Sequence, residues 1–134
     1  MANTLFDFGR EAFLTKLLDW SADTIKAVLT DHGTATPNVS AHQFLSSFSA
    51  GTVATSPAFS SKTATAGVAD AADITFTSVS GASCESVNIF KDTGSTATSN
   101  LIAYFDTATG LPITPSGVGI TVAWSNGANR IFRL

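Results

Sequence analysis

Lys91 to Leu134 reads KDTGSTATSNLIAYFDTATGLPITPSGVGITVAWSNGANRIFRL, and this last third of the chain decides the fold class. Two strand-like runs stand out in it, Asn100-Leu-Ile-Ala-Tyr-Phe105 and Val118-Gly-Ile-Thr-Val-Ala-Trp124. Gly110, Pro112, Pro115 and Gly117 lie between them, residues that end strands and set turns. Asn126-Gly127 marks a further tight reversal, after which Arg130-Ile-Phe-Arg-Leu134 predicts a paired closing strand. In Leu101 to Phe105 large apolar residues occupy both parities, so both faces of that strand should be covered, by the centre of a sandwich or by a subunit interface.

Working outward, Asp23-Thr-Ile-Lys-Ala-Val-Leu29 reads as the first strand, with Ile25, Ala27 and Leu29 on one face, and Asp73 to Val79 alternates clearly. Further strands are expected at 84–90 and 129–132. Residues 49–67, rich in Ser, Thr and Ala around Pro57, read as loop or weak edge strands. The N-terminal stretch differs. From Thr4 to about Leu18 the spacing of Phe6, Phe13, Leu17 and Trp20, with Asp7, Glu11 and Thr15 opposite, predicts an amphipathic helix opened by a Thr4–Asp7 capping box. Ser40-Ala-His-Gln43 fits a second capping box, opening a short helix that carries Phe44, Leu45 and Phe48. The expected class is therefore mainly β: an antiparallel β-sandwich or barrel-like sheet, with an N-terminal amphipathic helix and one short helix. Residues 1–134 should form a single domain, 1–20 being a helix that packs on its own sheet or serves as a docking arm, and 23–134 a β-rich body.

Charged residues make up 13% of the 134 residues, against about 25% in an average soluble protein. Ser, Thr, Ala, Asn and Gly must then fill the solvent-facing positions. Lys and Glu are depleted at interface cores, so such a surface suits contact with another protein. The net charge of −3 and the lack of any basic run disfavour nucleic acid as a partner. No apolar run approaches membrane-spanning length, and Asp7, Arg10 and Glu11 interrupt the N-terminal apolar stretch, so neither a membrane nor a secretory signal is expected. The single Cys84 excludes an intramolecular disulfide and reads as a small packed residue.

Chemistry-bearing patterns are few. Asp92-Thr-Gly-Ser95 resembles the active-site loop of aspartic proteases, but Lys91 stands where those enzymes carry an apolar residue, and too little chain follows to build the rest. A turn between two strands accounts for it. Gly81-Ala-Ser-Cys-Glu85 lacks the closing glycine of a nucleophile elbow, and Gly117-Val-Gly119 lacks the third glycine of a dinucleotide fingerprint. His32, His42 and Cys84 are scattered, Asp70 and Asp73 sit in no calcium-loop pattern, and Asn38-Val-Ser40 has no secretory context. Neither an enzyme nor a metal or cofactor is expected.

Gly9-Arg-Glu-Ala-Phe-Leu14, Asp23-Thr-Ile-Lys26, His42-Gln-Phe-Leu-Ser46, Lys91-Asp-Thr-Gly94, Asp106-Thr-Ala-Thr-Gly-Leu-Pro112 and Trp124-Ser-Asn-Gly127 resemble blocks of small structural proteins of tailed bacteriophages, nearly end to end. The resemblance implies a capsid cement, or decoration, protein of the virion, assembled in the host cytoplasm and bound to the major capsid protein and to copies of itself, a trimer being the expected oligomer. It transfers no chemical role to any residue. Phe6, Phe13 and Leu17 of the helix and Leu101, Tyr104 and Phe105 of the strand are the candidate contact residues. The competing class is a tail-associated or glycan-binding β-sandwich module, in which Trp20, Tyr104 or Trp124 would stack on sugars.

Overall fold

The computed structural model describes residues 3–134. Its centre is a five-stranded antiparallel sheet in the order β1 (Thr4–Leu5), β8 (Leu101–Phe105), β7 (Ser86–Lys91), β2 (Ile25–Thr30), β3 (Thr52–Thr55). A three-stranded sheet joins β10 (Phe132–Arg133), β5 (Val68–Asp70) and β4 (Thr63–Thr65), and β6 (Ile74–Phe76) pairs with β9 (Ile120–Val122). Among the described residues the protein is mainly β, with antiparallel strand pairs throughout and one α-helix, α1 (Asp7–Leu14). The barrel-like alternative does not hold. The central sheet is open, with β1 and β3 as its two edges.

The β7–β8 ladder explains the apolar residues on both parities of β8. Ile89 pairs with Ala103 and Phe90 with Leu101, so Ile102 is an extra residue on β8. A bulge of this kind changes which residues share a face. Leu101 and Tyr104, of opposite parity, consequently join Phe6, Val28, Leu45, Phe48 and Phe90 in one apolar cluster. Ala27, Leu29, Val87, Ile89, Ile102 and Ala103 belong to the larger cluster, which also takes in Phe76, Ile131 and Phe132. Both faces of the strand are covered by the chain itself, and Leu101, Ile102, Ala103 and Tyr104 are all buried.

The helix is shorter than its periodicity predicts. Thr4 and Leu5 pair with Tyr104 and Ala103 as an edge strand, so the chain enters the helix only at Asp7. The Thr4–Asp7 capping box does not form: Phe6 is the N-cap, Thr4 Oγ1 donates to the Leu5 carbonyl, and Asp7 pairs with Arg10 at 2.9 Å. At the other end Leu17 N–H donates to the Ala12 carbonyl (2.8 Å) and Lys16 N–H to that of Phe13 (3.5 Å). This is a Schellman closure, with Lys16 at φ +64° where glycine is usual. Trp20 lies beyond the helix, buried, with its indole N–H donating to the Asp70 carbonyl.

The buried face of α1 is made of small residues, Gly9 and Ala12. A Cβ on Gly9 would stand 2.7 Å from the Leu101 carbonyl oxygen, 3.0 Å from that of Ile102 and 3.1 Å from Ile102 Cα. Only glycine lets the helix lie directly on the bulged backbone.

The second predicted helix is also corrected. Ser40 Oγ donates to Asn38 Oδ1 instead of capping, and Leu45 and Ser46 N–H groups donate to the carbonyls of Ser99 and Thr96. Drawn into these long-range bonds, the segment forms two 3₁₀ turns, Leu45–Ser47 and Ser49–Gly51. The weak edge strands expected within 49–67 are β3 and β4. The closing strand is paired, its partner being β5, with Phe132 opposite Ala69.

Two substitutions in and beside α1 should act in opposite directions. Gly9→Ala forces backbone apart and should destabilise by about 1–3 kcal/mol despite alanine's better helix propensity. Lys16→Gly relieves the left-handed position and should stabilise by up to about 1 kcal/mol. Urea unfolding midpoints measure both.

Candidate interaction surface

Exposed large apolar side chains concentrate where α1 ends. Leu14 is 86% exposed and Leu17 56%, and the last residue, Leu134, is 60% exposed. An open groove of about 450 Å³ lies at this end, walled by Phe13, Leu18, Trp20, Val68, Phe132 and Leu134. Its geometry follows from the helix stop. The Schellman turn carries the chain away from the helix axis at Lys16, which leaves Leu17 outside while Leu18 returns to the interior. The floor is rigid. Phe132 stands edge-on to Trp20 with ring centroids 5.2 Å apart, and Phe13 tilts against Phe132 at 5.9 Å. Lys16 and Asp19 supply the charged groups along the groove.

The predicted contact residues divide. Phe13 lines the groove, and Leu17 stands exposed next in the chain to Leu18, which also lines it. Phe6, Leu101 and Tyr104 are interior residues of this chain and present no contact surface: Phe6 stacks on Phe48 and stands edge-on to Tyr104. Phe105 is half-buried, tilted against Trp124 in a separate cleft. The aromatics of the glycan alternative are committed to packing as well. Trp20 and Tyr104 are buried, and Trp124 is half-buried between Phe59 and Phe105. Leu14, Phe132 and Leu134 were not among the expected contacts. The available signal was the run Phe13-Leu14 with Leu17-Leu18, more apolar residues than one helical stripe can bury.

The chemistry-bearing side chains are placed structurally. Asp92 lies in the β7–β8 turn, where Oδ1 accepts from Gly94 N–H and Oδ2 pairs with Lys26 Nζ at 2.7 Å. The Lys26 ammonium, then the Gly94 amide, hold its carboxyl below the usual carboxylate range. Cys84 is buried, bridging to Ile113, and burial first, with Glu85 and Asp31 after it, pushes its thiol up to about 11. That is the setting of an inert thiol. Asp73 accepts from the Trp124 backbone N–H, and Asp70 faces Arg130 at 3.9 Å.

One pair was invisible in the sequence: His32 Nε2 lies 2.8 Å from Ser86 Oγ. It has the spacing of a base and a nucleophile, but Ser86 is fully buried and offers no surface to a substrate. Among the described residues, no three His, Cys, Asp or Glu side chains are grouped to hold a metal ion. What this surface can do is bind by apolar burial.

No protein-family profile matches the chain, and no curated protein sequence is significantly similar to it.

The Asp92–Lys26 pair makes a pH-dependent prediction. A carboxyl lowered in the folded state stabilises above its unfolded range, near pH 4, and that contribution is lost as pH falls through the lowered folded value. Asp92→Asn should therefore cost up to about 1 kcal/mol at neutral pH, and the difference from wild type should shrink as the solution is acidified through and below the ordinary carboxylate range. Unfolding midpoints taken across the acid range give the comparison.

Proposed function

We propose that this chain is a structural protein of a tailed-bacteriophage virion, a capsid cement protein that binds the major capsid protein and stabilises its lattice. The observation that carries the reading is the exposed apolar surface at the end of α1, set on a body with only 13% charged residues. Leu14 and Leu17 are chain neighbours of Phe13 and Leu18, which line the groove, and exposed apolar side chains grouped in this way suit protein contact. Phe13 and Leu17, drawn from the sequence as contact residues, belong to this surface, and the six sequence blocks resembling phage structural proteins supply the biological setting.

On this reading the three open sheets pack as a β-sandwich, and copies associate as a trimer over junctions between capsid subunits. Binding at many equivalent sites needs no single strong contact, because multivalency raises the effective affinity. The rings of Trp20, Phe132 and Phe13 in the groove floor already pack on one another, which keeps the cost of ordering small on association. No catalytic step is part of this role.

Cryo-electron microscopy of the virion tests the proposal. The expected result is density for this chain repeating over the icosahedral lattice, with the α1 end against the major capsid protein. Density confined to the tail, or none, overturns it. Leu14→Asp with Leu17→Asp, at exposed positions where stability should move by no more than about 0.5 kcal/mol each, should lower affinity for empty capsids at least tenfold. Unchanged occupancy would remove this surface from the role.

A further inference from the structure

A line of polar side chains is buried in the face of the central sheet that carries Phe90 and Tyr104. Thr30, Ser86 and Asn88 are all 0% exposed. Asn88 Nδ2 donates to Thr30 Oγ1 at 3.0 Å and to Ser86 Oγ at 2.9 Å, while Asn88 Oδ1 is buried with no partner among the described residues. His32 Nε2 reaches Ser86 Oγ from the half-buried turn after β2. The line thus runs from a solvent-accessible imidazole to the middle of β7.

Proton counting limits its direction. A serine hydroxyl has one proton to give and two lone pairs that accept. With the Asn88 amide donating to Ser86, His32 Nε2 is the partner left for the hydroxyl proton, an arrangement that requires a neutral ring with its proton on Nδ1. A doubly protonated ring has no acceptor nitrogen. Asn88 Nδ2 and His32 Nε2 would then both donate to Ser86, and the hydroxyl proton would be left without an acceptor. One rearrangement within the line resolves this. If the Asn88 amide turns over, Oδ1 replaces Nδ2 opposite Ser86 and Thr30 and accepts from both hydroxyls, and Ser86 is free to accept from His32.

We propose that His32, Ser86 and Asn88 form a proton-coupled relay, in which protonation of the His32 ring turns over the Asn88 amide at the centre of the sheet. Each amide orientation leaves one end unpartnered, as Oδ1 is in the present arrangement, so neither is locked in by its own hydrogen bonds. The two orientations have nearly the same shape, so the packing around them is little disturbed. The groups facing the ring come from three elements. Asp31 precedes it on its own turn, Glu85 Oε2 before β7 accepts the His32 backbone N–H at 2.8 Å, and Tyr104 of β8 stacks on the imidazole with centroids 6.1 Å apart. The Tyr104 hydroxyl donates in turn to Asp106.

The test is NMR of the full chain across about pH 4.5 to 8.5, the interval that brackets histidine titration. The Asn88 side-chain amide signals should shift with the same midpoint as the His32 ring, and their cross-peaks to the Ser86 and Thr30 side chains should change with them. In His32→Gln, at a half-exposed position, the Asn88 signals should stay constant over the range. In Ser86→Ala the His32 ring should still titrate while Asn88 no longer follows. A constant Asn88 amide beside a titrating His32, a ring that holds one protonation state throughout, or an Asn88 amide that still titrates in His32→Gln overturns the relay.

Discussion

The close approach of α1 to the bulged strand β8 is the constraint on which the rest of the structure depends. Ile102 is the extra residue in the β7–β8 ladder, and its carbonyl accepts from Phe6 N–H, which fixes where the chain leaves β1 and enters the helix. Gly9 then lets the helix backbone settle on Leu101 and Ile102. Were either feature lost, Leu101 and Tyr104 would fall on opposite faces or the helix would lift from the sheet. The two apolar clusters would then lose the residues that define them.

From that placement the exposed surface follows. A helix seated through Gly9 and Ala12 buries little of its own flank, so Leu14 has nothing from this chain to pack against. The Schellman turn at Lys16 then turns Leu17 outward and Leu18 inward within one step of the chain. The aromatic floor supplied by Trp20 and Phe132 belongs at the same time to the groove and to the larger cluster. The exposed apolar surface is therefore an extension of the core through the protein's skin. A surface made of side chains already packed in a core has little freedom left to lose when it is covered.

Much of the β body was legible in the sequence, and the failures share a cause. The alternation of Ile25, Ala27 and Leu29 placed one face of β2 correctly, and the apolar run Leu101 to Phe105 correctly announced a strand covered on both sides. Periodicity misled at the N-terminus because Phe6, Phe13, Leu17 and Trp20 fit a helical stripe, whereas the helix is seated by glycine and alanine, which carry almost no hydropathic signal. Strand pairing took Thr4 and Leu5 out of the helix, and a serine–asparagine hydrogen bond displaced the capping role of Ser40. Both are long-range or competing polar contacts, which local patterns do not encode. Of the apolar side chains expected at a contact, Leu17 is exposed and Phe13 lines the groove, while Phe6, Leu101 and Tyr104, equally apolar, are used inside the chain.

The polar line through Thr30, Ser86 and Asn88 was the least legible element, and its position explains its tolerance. An asparagine in the middle of a central strand gives up apolar contact, and its unpartnered Oδ1 adds a desolvation cost. The fold bears that cost because the neighbouring positions are filled by Val28, Phe90, Leu101 and Tyr104, so the sheet keeps its packing on either side of the polar line. The same apolar surroundings exclude water from Asn88, which makes the protonation state of one half-buried imidazole matter at a site it does not touch. A surface asparagine would exchange its partners with solvent and transmit nothing. Burial is what converts an ordinary histidine–serine contact into a connection between solvent pH and the centre of the sheet.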